Sequence, residues 1–343
     1  MDDAALLAAA GEEAYLVGGA IRDELLGRPV FDVDVACREP EAAARAYADA
    51  QGGAVVPLSE RHGAWRVAYR DGRTVDFTPL QGGIADDLAT RDFTVNAIAR
   101  RLGSADHVDP LGGVPDLESR TLRAVSDEVF RADPLRLLRA VRLEDELGLG
   151  IDSETEALVR RDASLAGAPA GERILGELQR LTAAGFRRAG ELGVLAELGG
   201  SADRLDQVDP ADHPDYLLVV CLGEAVRGLP ISNDTRRFAS TLLSGAPPAD
   251  ASPRSIHRFR RVTEPWALEL LAYLRAGEYA DAVREARKRD PAEPLLRGDD
   301  LGLEPGPEIG RLLELVEEER AAGTISTPEE ALALVREELK RQS

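Results

Sequence analysis

Cysteine and histidine are scarce in this chain of 343 residues. Cys37 and Cys221 lie far apart along the sequence, which excludes a disulfide framework and a cysteine-based zinc site. Because the chain offers no disulfide framework, we expect a protein of the reducing cytoplasm. No G-x-S-x-G motif is present, so a serine hydrolase of that kind is disfavoured. The histidines are also scattered without the spacing of metal ligands: His62, His107, His213 and His257.

Long apolar runs are also missing. No stretch approaches the ~20 apolar residues that a membrane-spanning helix needs. The N-terminal segment is acidic and lacks the basic region of a signal peptide. We therefore expect no membrane association and no secretion signal.

Positive charge is the third shortage. The chain carries 42 Lys and Arg against 62 Asp and Glu, a formal net charge of -20. Phosphate contacts supply most non-specific nucleic-acid affinity, so this balance argues against broad RNA binding. Lys288 and Lys340 are the only lysines, and arginine is the better bidentate phosphate ligand. Local arginine clusters can therefore still hold RNA, although high-GC codon usage would produce the same bias.

The most informative stretch is LVGGAIRDELLGRPVFDVD, residues 16–34. A short apolar strand runs into Gly18 and Gly19, where the missing Cβ atoms let backbone amides approach an anion. A helix over residues 20–26 is predicted to open there, with Arg22 in its first turn. The combination predicts a phosphate-binding turn.

Residues 30–36 then alternate between apolar and polar side chains, as a strand does. Asp32 and Asp34 fall on one face, ~7 Å apart from the rise of a strand. Two carboxylates at that separation are able to share ligation of Mg²⁺, which suits two-metal phosphoryl transfer. Alone, such a pair is more often solvent-facing on a plain hairpin. A glycine turn and an arginine before it, in this order, reverse that balance.

These motifs resemble the signature of the class II tRNA nucleotidyltransferase and bacterial poly(A) polymerase family, whose head is similar to polymerase β. Further family motifs follow in order: DFTVNA at 92–97, a Gly/Pro turn at 109–117, FRADPLRLLRAVR at 130–142 and GERILGEL at 171–178. The resemblance continues through the tail and covers nearly the whole chain.

The resemblance implies an α+β fold. A polymerase β-like nucleotidyltransferase head, with a mixed sheet and helices, is expected at residues 1–105. An all-α neck at 106–165, body at 166–290 and tail at 291–343 would follow. The implied reaction is nucleotidyl transfer from CTP and ATP to the tRNA 3′ end, without a nucleic-acid template and with two Mg²⁺ ions as cofactor.

The site residues are carried over from the matching motif positions. Asp32 and Asp34, with Asp76 on a neighbouring strand, are the implied catalytic and metal-binding carboxylates. An exposed strand residue is the less favoured alternative for Asp76. Two positions depart from the family pattern. Thr90 replaces an arginine, which removes one cation from the nucleotide pocket, and Ala132 replaces a glutamate before Asp133, which puts in doubt how rigidly Asp133 is held. The implied nucleotide-binding residues are Gly18, Gly19, Arg22, Arg91, Asp92, Asn96, Asp133, Arg136 and Arg139.

Asp133 and Arg136 are spaced i, i+3, which predicts that they share one face of a helix. In the family this pair reads the incoming base. Cytosine and adenine offer an exocyclic amine to the carboxylate and a ring nitrogen to the arginine, whereas uracil and guanine present a carbonyl and a ring N–H. Asp before Pro134 is also a helix N-cap signal, and the residues alone favour that simpler interpretation.

The connection from Asp76 to Arg91 is short. Most family members that add complete CCA carry a longer, flexible loop there, associated with switching from CTP to ATP. The short connection resembles members that add only CC and leave the terminal A to a separate A-adding partner enzyme. The sequence therefore implies addition of CCA or of CC alone. A poly(A) polymerase and a catalytically silent RNA-binding module remain as alternatives, the first opposed by the acidic C-terminal half, the second by the intact aspartate pair.

One basic cluster within the acidic chain is a candidate contact for the tRNA backbone. A solvated helix face is the simpler alternative. The candidate RNA-binding residues are Arg254, Arg258, Arg260 and Arg261. Further on, Thr327, Pro328 and Glu330 predict a capping box at the start of a final helix.

Overall fold

The computed structural model describes residues 3–59, 63–80 and 82–342. His62, and Gln81 in the connection from Asp76 to Arg91, lie outside the described residues. The chain forms two compact units, Met1–Gly199 and Gly200–Ser343. The division falls inside the segment predicted as the body, because helices that follow residue 166 pack on the predicted neck.

A seven-stranded mixed sheet is the centre of the first unit as described. Its strands are β1 (Tyr15–Val17), β2 (Asp32–Cys37), β3 (Ala54–Ser59), β4 (Ala64–Ala68), β5 (Thr74–Pro79), β6 (Ala99–Arg101) and β7 (His107–Val108). Their order in the sheet is β3-β4-β5-β2-β1-β6-β7. β2 and β5 pair in parallel and the other neighbours are antiparallel. The predicted mixed sheet is confirmed.

Helices surround this sheet and continue after it. They are α1 (Asp3–Ala10), α2 (Gly19–Leu25), α3 (Pro40–Gln51), α4 (Ile84–Ala89), α5 (Gly113–Glu118), α6 (Val129–Ala132), α7 (Arg136–Leu147), α8 (Ser153–Asp162), α9 (Gly171–Leu178), α10 (Ala183–Glu191) and α11 (Val194–Glu197). β8 (Thr121–Leu122) and β9 (Gly150–Ile151) form a two-stranded parallel sheet, and β7 extends the large sheet past residue 105, so the prediction of an all-α neck at 106–165 is wrong. α7 packs against α9 and α10, which ties the neck to the helices after it.

Alternation in β2 decides which face carries chemistry. Val33 and Val35 are buried, and α3 covers the neighbouring strands with Tyr47, whose ring lies 5.8 Å from that of Phe77. Asp32 and Asp34 therefore project from the opposite face. The strand begins two residues later than the alternation predicts, so Phe31 is left exposed.

The predicted helix over residues 130–142 is broken. Asp133 has extended backbone dihedrals, φ −145° and ψ 100°, because Pro134 disfavours the helical region for the residue before it. Proline also lacks the amide hydrogen that would continue the helix. Asp133 therefore lies between α6 and α7, and the prediction that it shares a helix face with Arg136 is wrong.

The described part of the second unit contains helices and no strands. Its α-helices are α12 (Tyr216–Leu222), α13 (Asn233–Ser244), α14 (Pro253–Thr263), α15 (Ala267–Leu274), α16 (Ala280–Lys288), α17 (Pro307–Ala321) and α18 (Pro328–Gln342). The predicted capping box is confirmed, since the Glu330 amide donates to Thr327 Oγ1 at 3.2 Å and the Thr327 amide to Glu330 Oε2 at 3.1 Å. Among the described helices of the chain, none is long and apolar enough to cross a membrane.

Short 3₁₀ helices complete both units. They span Thr94–Asn96, Ala163–Leu165, Asp203–Asp206, Gly223–Gly228, Gly277–Tyr279 and Gly298–Leu301.

Candidate active site

The turn at Gly18 lies beside two side chains with different predicted roles, one that binds the nucleotide and one that binds metal. β1 ends at Val17, and Gly18 directly after it has φ 74°, a backbone conformation that L side chains rarely adopt. A Cβ built on Gly18 would lie 2.8 Å from Arg91 Nη1 and 3.3 Å from Asp34 Oδ2. The missing side chain therefore lets the backbone approach both a predicted triphosphate ligand and a predicted metal ligand.

The three predicted carboxylates lie on adjacent strands. In the parallel pairing of β2 with β5, Asp34 is opposite Asp76 and Asp32 is opposite Thr74. Thr74 Oγ1 donates to Asp32 Oδ1 at 2.8 Å. Burial raises the pKa of Asp34, and the negative charges of Asp76 and Asp32 add to that rise, although Arg91 opposes it. This face of the sheet thus concentrates negative charge.

Asp76 is held by an arginine on its other side. β4 pairs antiparallel with β5, and Arg66 stands opposite Asp76. Arg66 Nε and Nη2 donate to Asp76 Oδ1 and Oδ2, each at 2.7 Å. Within the described residues, no group of three or more His, Cys, Asp or Glu converges as a metal site. The predicted third ligand is therefore in place along the sheet but occupied by Arg66.

A buried network links the DFTVNA motif to α2 and α7. The carboxylate of Asp92 accepts from the Phe93 amide at 2.8 Å and from Asn96 Nδ2 at 3.0 Å, and its other oxygen lies 2.8 Å from Arg139 Nε. Burial opposes ionisation of Asp92, but Arg139 and these hydrogen bonds outweigh it and lower its pKa. Arg22 Nη1 donates to Asn96 Oδ1 at 2.6 Å, which extends the network to α2.

The two predicted triphosphate arginines differ in position. Arg91 lies against Gly18 and also contacts the buried Asp87 at 3.1 Å. Arg22 is 9% exposed and donates to Asn96 and to Asp23. Arg91 is thus at the glycine turn, whereas Arg22 is engaged in the network beneath it.

The predicted base-reading pair is bound by protein groups. Asp133 accepts from Arg173 Nη2 on α9 at 2.8 Å and also caps the start of α7. Arg136 Nη2 donates to the Thr90 carbonyl at 2.9 Å and Nη1 to the Arg91 carbonyl at 3.3 Å. The N-cap interpretation of Asp133 therefore describes one of its contacts. Arg136 joins the neck to Thr90 and Arg91, which directly precede the DFTVNA motif.

Comparison with known proteins identifies the family. Residues 14–81 and 64–123 match the Poly A polymerase head domain. The chain is 34% identical to the A-adding tRNA nucleotidyltransferase of Deinococcus radiodurans, over 94% of each protein. It is 33% identical to the CC-adding tRNA nucleotidyltransferase of Thermus thermophilus, over 94% of this chain and 93% of that protein. The chain belongs to the class II tRNA nucleotidyltransferase family.

The fold agrees with this membership. A crystal structure of the Bacillus stearothermophilus CCA-adding enzyme in complex with CTP superposes with a TM-score of 0.77 at 25% identity, over 98% of this chain and 96% of that one. The predicted head with a mixed sheet followed by helices is therefore confirmed, and so is a tRNA nucleotidyltransferase activity. These relatives divide among A-adding, CC-adding and CCA-adding names. Family membership alone thus leaves the added nucleotides open.

The aspartate pair of this nucleotidyltransferase fits a hard divalent cation. Carboxylate oxygens are the ligands that Mg²⁺ prefers. The raised pKa of Asp34 reflects burial and crowded negative charge, which a bound cation would relieve. Asp32 and Asp34 therefore suit the metal as they stand. Asp76 would have to exchange Arg66 for the metal.

The arginines predicted to bind RNA all face carboxylates of their own unit. Arg258 makes two hydrogen bonds to Glu318, which is 8% exposed. The shortest contacts are Arg254 to Glu319 at 2.5 Å, Arg258 to Glu318 at 2.6 Å, Arg260 to Asp290 at 2.5 Å and Arg261 to Glu314 at 2.6 Å. RNA phosphates would compete with these carboxylates, and RNA contact stays a prediction.

Sequence reasoning missed two arginines that touch the predicted site, Arg66 and Arg173. The register of β4 with β5 is centred on Asp71, and it places Arg66 opposite Asp76. A turn of two residues at Asp71 and Gly72 would instead have placed Arg66 opposite Phe77, so the sequence carries no reliable signal for this pair. Arg173 had no signal either, since its contact with Asp133 depends on how α9 packs.

Proposed function

We propose that this enzyme transfers CMP from CTP to the tRNA 3′ end, adding CC and leaving the terminal A to a separate A-adding enzyme. The observation that carries this proposal is the packing of the described part of the short connection before Arg91. Asp86 accepts the Gly83 amide at 3.1 Å at the start of α4, and Leu88 is fully buried. The helix α4 occupies Ile84–Ala89 of the short connection in which the family resemblance places the loop for switching to ATP.

The carboxylate face supplies the catalytic groups. Asp32 and Asp34 would hold two Mg²⁺ ions, with Asp76 assisting. When bound, such ions lower the pKa of an attacking hydroxyl and stabilise a leaving pyrophosphate. The Gly18–Gly19 backbone and Arg91 would hold the triphosphate so that the tRNA 3′-oxygen attacks the α-phosphorus in line. Positioning and charge stabilisation carry this chemistry, so no covalent enzyme intermediate is required.

Asp133 and Arg136 would select the base. Cytosine can donate its exocyclic amine to Asp133 and accept from Arg136, replacing the contacts to Arg173 and to backbone carbonyls. Uracil would leave both side chains without a complementary partner, which costs a few kcal/mol when the groups are buried. The position of this pair relative to the DFTVNA motif would be set by a contact between Arg139 on α7 and Asp92, which Asn96 supports.

The CC-adding relative from Thermus thermophilus agrees with this product, but the A-adding relative from Deinococcus radiodurans is equally similar. The choice of product therefore rests on the connection before Arg91. Complete CCA addition is the second candidate, because the CCA-adding enzyme with the CTP-bound structure shares the fold over nearly the whole chain. In either case, tRNA would meet the second unit through Arg254, Arg258, Arg260 and Arg261 after they leave their carboxylates.

The 3′ ends of reacted tRNA decide between these products. Purified protein, Mg²⁺, CTP and ATP would be incubated with tRNA ending before CCA, after C and after CC. We expect the first two substrates to stop at CC and the third to remain unchanged. Adenosine added to the substrate that ends in CC would contradict the proposal, whether or not the enzyme also adds CC to the other two substrates.

A further inference from the structure

Asp76 stands between two chemically opposite neighbours. β5 is flanked by β2 on one side and β4 on the other, and Asp76 is in register with Asp34 and with Arg66. Residues paired across adjacent strands project from the same face of a sheet. A change in the side-chain torsions of Asp76 therefore turns its carboxylate either toward the aspartates or toward Arg66.

The structure shows the second of these orientations. Both Asp76 oxygens accept from the Arg66 fork at 2.7 Å, a bidentate geometry that is specific for a planar guanidinium. The Asp76 side chain is 15% exposed and that of Arg66 36%. Water thus reaches the pair, so a divalent cation can approach the Asp76 carboxylate without opening the sheet.

We propose that Arg66 competes with the divalent cation for Asp76 and so sets the metal affinity of the site. Arg66 is a positioning residue: it holds the third carboxylate away from Asp32 and Asp34 until the cation replaces it. This inference rests on the proposed metal role of Asp32 and Asp34. If Arg66 and Asp76 form only a structural ion pair, removing Arg66 destabilises the sheet. Metal affinity then changes only through the general electrostatic effect of losing one positive charge.

The test is a Mn²⁺ titration of the full-length protein without nucleotide, followed by electron paramagnetic resonance of free Mn²⁺. Arg66→Met removes the fork while keeping an unbranched side chain of similar length. We expect it to bind Mn²⁺ about three- to tenfold more tightly than the unaltered protein. Arg66→Lys keeps the charge without the fork and should lie in between. Arg73→Met is the matched control, since Arg73 is exposed, pairs with Asp71 and directly precedes β5.

A double-mutant cycle separates competition from general electrostatics. In an Asp76→Asn background, Arg66→Met should give no further gain in affinity, because the contested ligand is gone. An equal gain in both backgrounds, or no gain in Arg66→Met alone, would overturn the proposal. Circular dichroism without metal establishes that each variant is folded.

One more variant distinguishes failure of this inference from failure of the metal assignment. Asp32→Asn with Asp34→Asn should abolish Mn²⁺ binding. If that double variant binds Mn²⁺ as the unaltered protein does, the metal role of these aspartates is contradicted. Loss of binding there, with no response to Arg66→Met, contradicts only the role of Arg66.

Discussion

Arg139 on α7 lies 2.8 Å from Asp92, a carboxylate that is 6% exposed. This ion pair connects the neck with the motif predicted to bind nucleotide. Asp92 is ionised in the fold because Arg139 and two hydrogen bonds overcome the cost of its burial. The segment predicted to read the base and the motif predicted to bind the triphosphate are therefore joined through a buried charge.

We expect Arg139→Met to reduce stability in a pH-dependent way. The pKa of Asp92 is lowered on folding, so its stabilising effect is present above the unfolded value of about 3.9 and is lost as pH falls through the folded value. The variant should lose about 1 to 3 kcal/mol at neutral pH, discounted because Arg139 is partly exposed. Denaturant unfolding should show this deficit shrinking below about pH 4.

The control for this prediction is Arg38→Met, which removes an exposed arginine paired with the exposed Glu13 in the same unit. It should cost less than about 0.5 kcal/mol at any pH. A deficit in Arg139→Met that stays constant down to acid pH would show that its packing, rather than its charge, supports the fold.

Local patterns predicted much of the head correctly. β1 and the alternation of β2 follow from sequence because side-chain period and glycine act within a few residues. The break at Pro134 is also a local signal, because proline disfavours the helical region for the residue before it and Asp before Pro is typical of a helix start.

Contacts between distant segments were less predictable. Arg139 reaches Asp92 and Arg173 reaches Asp133 only because α7 and α9 pack in one arrangement, and sequence spacing does not specify it. The basic cluster on α14 is the sharpest example. The sequence predicted its arginines as candidate RNA contacts. In the fold, α17 carboxylates pair with Arg254, Arg258 and Arg261, and Asp290 pairs with Arg260.

Asp133→Ala should relax base selection. If the carboxylate accepts the cytosine amine, its loss removes discrimination against uracil, and the ratio of kcat/KM for CTP to that for UTP should fall about 10- to 100-fold. Steady-state transfer to a tRNA ending before CCA gives both values. Arg173→Met should leave the ratio largely intact, since Arg173 contacts Asp133 but not the base in this scheme. Equal losses for CTP and UTP in Asp133→Ala would indicate a purely structural cap.

Glu318→Gln tests the arginines of the second unit. Glu318 forms ion pairs with both Arg254 and Arg258, so removing its charge makes both more available to phosphate, Arg258 most, because Arg254 keeps Glu319. We expect tRNA to bind more tightly, with a steeper dependence of affinity on salt concentration. Glu317→Gln on the same helix, next to it in sequence, controls for the loss of one negative charge. If both variants behave alike in filter binding, these arginines hold α14 against α17 and do not contact RNA.

Two adjacent glycines should respond differently to alanine. A Cβ at Gly113 would lie 2.1 Å from the Thr94 carbonyl oxygen, whereas one at Gly112 meets nothing within 4 Å. Gly112 has φ 75°, so Gly112→Ala should cost about 1 to 2 kcal/mol of unfolding free energy from backbone strain alone. Gly113→Ala forces two segments apart and should cost about 3 kcal/mol or more. Equal costs in denaturant unfolding would contradict this close approach.

The most direct test of the catalytic assignment is incorporation of α-labelled CMP into a tRNA that lacks CCA, by the unaltered enzyme and by Asp34→Asn. The variant keeps the size of the side chain but loses its charge. We predict Mg²⁺-dependent addition of two cytidines by the unaltered enzyme, and a rate lower by at least about 10³-fold in a folded variant that still binds CTP. Comparable incorporation by Asp34→Asn would contradict the assignment of the active site to the Asp32 and Asp34 face.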